Sequence, residues 1–326
     1  TSYGKVDYPL GTVLRDYPVG SAQLDPVHKY PAAWTYSFSI QRELPFAAVL
    51  DVAYVGKTSI NLVRSRNMNL LPVGTIQGNP GIQPNALRPW YGLAGITRTT
   101  LDGRSSYNSL QVSLDRRFSS GFGFGVSYTF SKVLSDIASP FHGFYFEKAL
   151  DSWDRPHNLN FNYIYELPFL RKARGAAGLL GGWQLSGDAF IRSGVPLTVS
   201  DSNDIAGVGA GGQPWNVVGT LGVSGDRGIN RLWFNPGAFA LPRAGTYGNS
   251  GRFNIRGPRY QSWDLALFKN FRVIERVAAN FRVEAFNFLN HPLLDNPGTN
   301  PRAGSFGMVT SKSSERNVQL ALKFVF

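Results

Sequence analysis

Several residue sets in this 326-residue chain have types and spacings that could do chemistry. Gly207-Val-Gly-Ala-Gly-Gly212 fits G-x-G-x-x-G, in which glycines let a helix N-terminus approach a pyrophosphate. It runs into Gln213-Pro-Trp215, with no helix to supply the dipole, so a flexible glycine-rich loop is expected. Asp201, Asn203 and Asp204 could offer oxygens to calcium, but their spacing is not that of an EF-hand, and a solvated turn is expected. His28, His142, His157 and His291 are scattered without metal-ligand spacing. His157, in Asp154-Arg-Pro-His157, reads as part of a polar cluster at a strand entry. Glu147 and Asp151 could pair as a glycosidase dyad, although nothing fixes their separation. There is no cysteine, which excludes thiol nucleophiles, disulfides and zinc ribbons. No G-x-S-x-G elbow, P-loop or H-E-x-x-H occurs. An enzyme is therefore not expected, nor is any cofactor or metal.

The formal net charge of +12 raises nucleic-acid binding as an alternative. The cations are spread over turns, loops and strand ends, and no nucleic acid is expected as a partner. Arg252, Arg256 and Arg259 form the densest loop group and could meet an anionic ligand or lipopolysaccharide phosphates.

The elements that must carry these residues are strands. Charged residues make up 17% against about 25% in soluble domains, aromatics reach 13%, and there are 36 Gly and 20 Pro. Nothing approaches the ~18 consecutive apolar residues of a membrane helix. Period-two alternation recurs in nine runs. Trp34, Tyr36, Phe38 and Ile40 share one face, as do Leu50, Val52 and Tyr54. Leu110, Val112 and Leu114 turn through Ser119-Ser-Gly121 into Phe122, Phe124, Val126, Tyr128 and Phe130. Further runs carry Leu159 to Tyr165, Leu185 to Ile191, Trp263 to Phe271, and Phe281 to Ala285. The last holds Val318, Leu320, Leu322, Phe324 and Phe326 on one face, a fully apolar ending unusual where termini meet water.

Short links near 43–47, 119–121, 168–182 and 272–277 alternate with long ones near 57–106, 134–156, 196–259 and 290–315. Such asymmetry is that of an outer-membrane barrel with short periplasmic turns and long extracellular loops. About 11 residues at ~3.3 Å, tilted ~40°, rise roughly 28 Å and cross the apolar band. The fold expected is all-β, an antiparallel transmembrane β-barrel segment of about nine or ten strands over 32–326. Residues 1–31 are expected to resemble an extracellular loop. Arg116 and Lys269 break the outward apolar pattern, close enough to short turns to snorkel. Lys323 is expected to face the lumen. An odd strand count predicts that this is the C-terminal part of a longer barrel.

Ordered stretches carry a resemblance. Ile40-Gln-Arg-Glu-Leu-Pro45, Ala53-Tyr-Val-Gly56, Ser106-Tyr-Asn-Ser-Leu-Gln-Val112, Arg116-Arg-Phe118 and Val126-Ser-Tyr-Thr-Phe-Ser-Lys132 are followed by Asp154-Arg-Pro-His-Asn158 and Gly181-Gly-Trp-Gln-Leu-Ser-Gly187. Then come Trp233-Phe-Asn-Pro-Gly-Ala-Phe239, Leu267-Phe-Lys-Asn-Phe271 and Phe286-Asn-Phe-Leu-Asn-His291. Together they resemble the barrel of Oar-like TonB-dependent transporters, the group often carrying a carboxypeptidase-regulatory-like domain. The resemblance implies active uptake across a Gram-negative outer membrane, a 22-stranded barrel filled by a plug, and a TonB-contacting segment near the N-terminus. The plug and that segment have no counterpart here, so TonB would be met only through a missing N-terminal part. The terminal strand looks like the signal read by the barrel-assembly machinery, through Val318, Leu320, Leu322, Phe324 and Phe326. Outer-membrane lipid and lipopolysaccharide complete the expected partners. A self-contained small porin or structural barrel is the alternative reading, and a soluble basic all-β binding module is a third.

Overall fold

The computed structural model describes residues 20–24, 26–27, 29–91, 93–136, 148–169, 181–274 and 277–326. The expectations for most of 1–31, and those for His28, His142 and Glu147, fall outside the described residues. Among the described residues nine long strands form one antiparallel meander: β1 (Ala32–Leu44), β2 (Ala48–Asn67), β3 (Ile96–Ser119), β4 (Phe122–Ser135), β5 (His157–Glu166), β6 (Trp183–Arg192), β7 (Tyr260–Ile274), β8 (Val277–Phe286) and β9 (Asn317–Val325). Each pairs with its sequence neighbour, so the order across the sheet is the order along the chain. Ser21–Leu24 adds a short parallel partner to the start of β3, and Ala149–Leu150 pairs with the end of β4.

Register converts alternation into two faces. Val318, Leu320, Leu322 and Phe324 of β9 sit opposite Ala285, Val283, Phe281 and Ala279. These β9 residues, with Trp34, Phe38 and Ile40 of β1, are highly exposed, as a lipid-facing surface must be. The opposite face carries Ser, Thr, Asn, Gln and Asp, the polar lining of a lumen. Lys323 pairs with Asn280 on that lumenal face.

The short turns are tight for local reasons. Ser119 pairs with Phe122, leaving Ser120 and Gly121 at φ 54° and 83°. Positive φ at both central residues makes the two-residue turn whose twist matches its strands, and Gly121 enters that region without strain. At the outward cations the turns supply partners. Arg116 Nε donates to the Phe46 carbonyl at 3.0 Å and its guanidinium lies 5.2 Å from the Phe122 ring centroid. Lys269 Nζ donates to the Gly181 carbonyl and sits 5.2 and 5.0 Å from the Trp183 and Phe271 rings. Each apolar-face cation is thus compensated at the rim.

One expected boundary is corrected. The loop placed at 57–106 shrinks to 68–95, because β2 and β3 continue to 20 and 24 residues. Their upper halves are out of register around Ser59/Leu62, with Asn61 at φ 56°. Beyond the lipid band no apolar alternation is required, so the strands persist while their periodic signal disappears.

Candidate functional site

Above the sheet the long loops fold on each other instead of hanging free. Phe234, Phe239 and Phe306 meet edge to face with centroids 5.2 to 5.8 Å apart. Val199, Ala238 and Ile255 complete this small core. Phe234 and Phe239 come from one loop and Phe306 from the next. Short bridges join the same segments: Arg231 and Leu232 pair with Val309 and Met308, and Ile255 and Arg256 with Leu197 and Pro196. Asn235 accepts from the Gly237 amide, fixing the 3-10 turn that presents Ala238 and Phe239 inward.

A polar hub lies beside this core. Asp201, fully buried, accepts through Oδ1 from the Asn203 amide and side chain, both at 2.9 Å, and through Oδ2 from Trp215 Nε1 at 3.0 Å and Arg302 Nε at 2.6 Å. Burial pushes its carboxyl up, but these four donors outweigh it and hold the carboxyl below the usual carboxylate range. Asp204 accepts from the Val208 and Gly209 amides and from Gln213 Nε2. Gln213 in turn accepts from the Ala206 amide. The expectation of a solvated turn at Asp201–Asp204 is therefore corrected: its carboxylates saturate inward-turned amides.

The expectation of a flexible loop at Gly207–Gly212 is corrected likewise. Gly207 and Val208 are buried, and a Cβ at Gly207 would stand 1.8 Å from Gln77 Oε1. Here glycine admits a neighbouring loop, not a phosphate. Arg88 donates to the carbonyls of Asn69 and Gly209, the latter at 2.6 Å. Asn69, itself fully buried, donates to the Trp90, Leu93 and Ala94 carbonyls. Segments 68–95, 196–256 and 291–313 are consequently one cap.

The three arginines expected to meet an anion do not form one outward surface. Arg252 is buried, donates to the Ser135 carbonyl and lies 5.6 Å from the Phe253 ring. Arg256 is ion-paired with Asp154, which is only 1% exposed. Arg259 alone of the three is exposed. Asp154 also accepts from the Val133 amide at 2.7 Å, and the His157 Nδ1 atom is 2.7 Å from the Tyr128 hydroxyl. The Asp154–His157 stretch thus ties the entry of β5 to β4 and to the cap. Asp151, the other half of the dyad considered, accepts from the Ser135 hydroxyl and the Trp153 amide. No group of three His, Cys, Asp or Glu side chains that could hold a metal occurs among the described residues.

Below the cap, one lumenal row crosses the sheet: Asp115 opposes Gly125, which opposes Asn162, then Asp188, then Asp264. Asp264 is held by the Ser262 hydroxyl and the Asn287 amide. The hub residues Asn69, Arg88, Gln213 and Arg302 had no motif to announce them.

A family model described as an outer membrane beta barrel domain matches residues 7–319. No curated protein sequence matches. Among solved structures, the chain is similar to the outer membrane transporter YddB from Escherichia coli (9% identity, TM-score 0.46, covering 94% of this chain and 34% of that one). It is also similar to the FrpB iron transporter from Neisseria meningitidis (9% identity, TM-score 0.45, 94% and 33%). A third is the ferric-catecholate import receptor Fiu from K12 E. coli (12% identity, TM-score 0.43, 91% and 28%). The chain spans about a third or less of the length of these structures.

Proposed function

Because the chain belongs to the outer membrane β-barrel domain family, we propose that it supplies part of the barrel of a TonB-dependent, Oar-like transporter that takes up a solute. Family membership places it in the outer membrane of a Gram-negative bacterium. The observation that carries the transport reading is the folded cap, which joins two loops by a buried core and a third by hydrogen bonds over a polar lumenal wall. A structural barrel needs no such investment in loop order, whereas a receptor must hold its loops in place above its lumen. Among the described residues the edges β1 and β9 run in the same direction, eight antiparallel pairings apart. Antiparallel closure of a barrel then requires an odd number of further strands, which fits the larger barrel. TonB contact, lipopolysaccharide contact and recognition of β9 by the barrel-assembly machinery belong to the same proposal. The role proposed is binding and passage, not catalysis.

The test compares solute depletion from defined medium by cells with and without the protein, each in the presence and absence of TonB. Depletion that needs both is the expected result. Depletion that persists without TonB overturns TonB dependence and leaves a porin.

A further inference from the structure

Arg192 ends β6 on the lumenal face, beneath the cap, and its environment is built rather than incidental. It pairs in register with Tyr260 on one side and Asn158 on the other. Its guanidinium lies 4.8 Å from the Tyr260 ring centroid and 5.4 Å from that of Phe190, the two rings meeting edge to face at 5.4 Å. Aromatic faces fix the plane of a guanidinium without using its five N–H donors. Arg192 is exposed and stands on the lumenal face of β6, opposite Tyr260.

Two more guanidiniums approach the same place. Arg256 donates to the Gly194 carbonyl, two residues beyond Arg192, and Arg155 to the Ser152 and Asp154 carbonyls. Burial lowers the pKa of Arg155, and the charges of Arg192 and Arg256 lower it further. Asp154 is the carboxylate within this group, and its oxygens are already taken by Arg256 and the Val133 amide.

We propose that Arg192, presented by Phe190 and Tyr260 and flanked by Arg155 and Arg256, binds a small carboxylate at the extracellular end of the lumen. The carboxylate takes the fork of Arg192. The proposal rests on the barrel reading for which face is lumenal. Its assay involves neither TonB nor uptake, so either can fail without the other.

The protein is purified from outer membranes in detergent and dialysed to equilibrium against radiolabelled glucuronate, with glucose as the uncharged comparison. Saturable glucuronate binding at least tenfold tighter than glucose is expected. Arg192→Ala should weaken it tenfold or more, Arg192→Lys less, and Arg259→Ala not at all. Heat-modifiable migration verifies folding, and if Arg192→Ala fails that check, Arg192→Lys serves alone with a threefold or greater loss. Glucuronate binding no tighter than glucose, or equal affinity in the folded Arg192 variant, overturns the proposal.

Discussion

Replacing Asp201 by alanine should unlatch the cap while leaving the barrel standing. The carboxylate satisfies an indole N–H, an amide, a carboxamide and a guanidinium at once. Losing a buried ion pair by removing one partner costs about 3 to 5 kcal/mol, but the Arg302 side chain is 45% exposed and recovers water. Its share is therefore discounted to about 1 kcal/mol. Stranding the Trp215 indole and the Asn203 amide adds about 1 kcal/mol each. A total near 3 kcal/mol corresponds to a change of roughly a hundredfold in the cap's opening equilibrium. Amide hydrogen exchange reads this directly, since the Gly212 and Gln213 amides donate to the Asp201 carbonyl and the Ala206 amide donates to Gln213 Oε1. Exchange across 199–215 should accelerate about a hundredfold, with residues 109–116 of β3 unchanged. Acceleration below threefold, or equal loss of protection in β3, would refute a locally latched cap.

Two further outcomes are expected. The Asp201 carboxyl is held below its ordinary value, so its stabilising contribution is fully present above its unfolded pKa of about 3.9 and is lost as pH falls through the lower folded value. A 5-fluorotryptophan signal from Trp215 should shift on acidification below about pH 4, and a shift that survives in Asp201→Asn would assign the transition elsewhere. On the lipid face the Tyr36 ring covers Gly56, where a Cβ would come within 2.2 Å of it, and the Tyr36 hydroxyl donates to Asn108. Gly56→Val should destabilise the barrel by about 1 to 3 kcal/mol in urea unfolding from lipid vesicles. Gly222→Val, with nothing within 4 Å of its Cβ, should not. Equal midpoints would sink the account.

The strands were legible where the bilayer imposes a rule. Trp34 to Ile40 and Val318 to Phe324 alternate because one face must be apolar and the backbone must pair completely. The same rule explains why the extension of β2 and β3 was hidden: above the lipid, Arg64, Ser65 and Arg66 pair with Thr100, Thr99 and Arg98 without any apolar period. The cap was illegible for another reason. Phe306 meets Phe234 and Phe239 from the next loop, with two strands between, and no local pattern encodes such a meeting. Asp201 looked like a turn residue because burial and donors, which decide its role, come from Trp215 and the distant Arg302. Arg252, Arg256 and Arg259 were grouped by sequence, but neighbouring strands and loops send their side chains to different places.

The length of β3 has a consequence outside the fold itself. About 13 of its residues exceed what crosses the apolar band, and at ~3.3 Å each with ~40° of tilt they raise that part of the wall roughly 30 Å above the lipid. The wall therefore ends in a parapet, with the cap anchored at its crest through Met68 and Ile96. Solute, antibody and phage alike would touch protein at a height where acyl chains and headgroups have no influence. Changes in lipid composition should then alter how the barrel sits without altering what the cap presents.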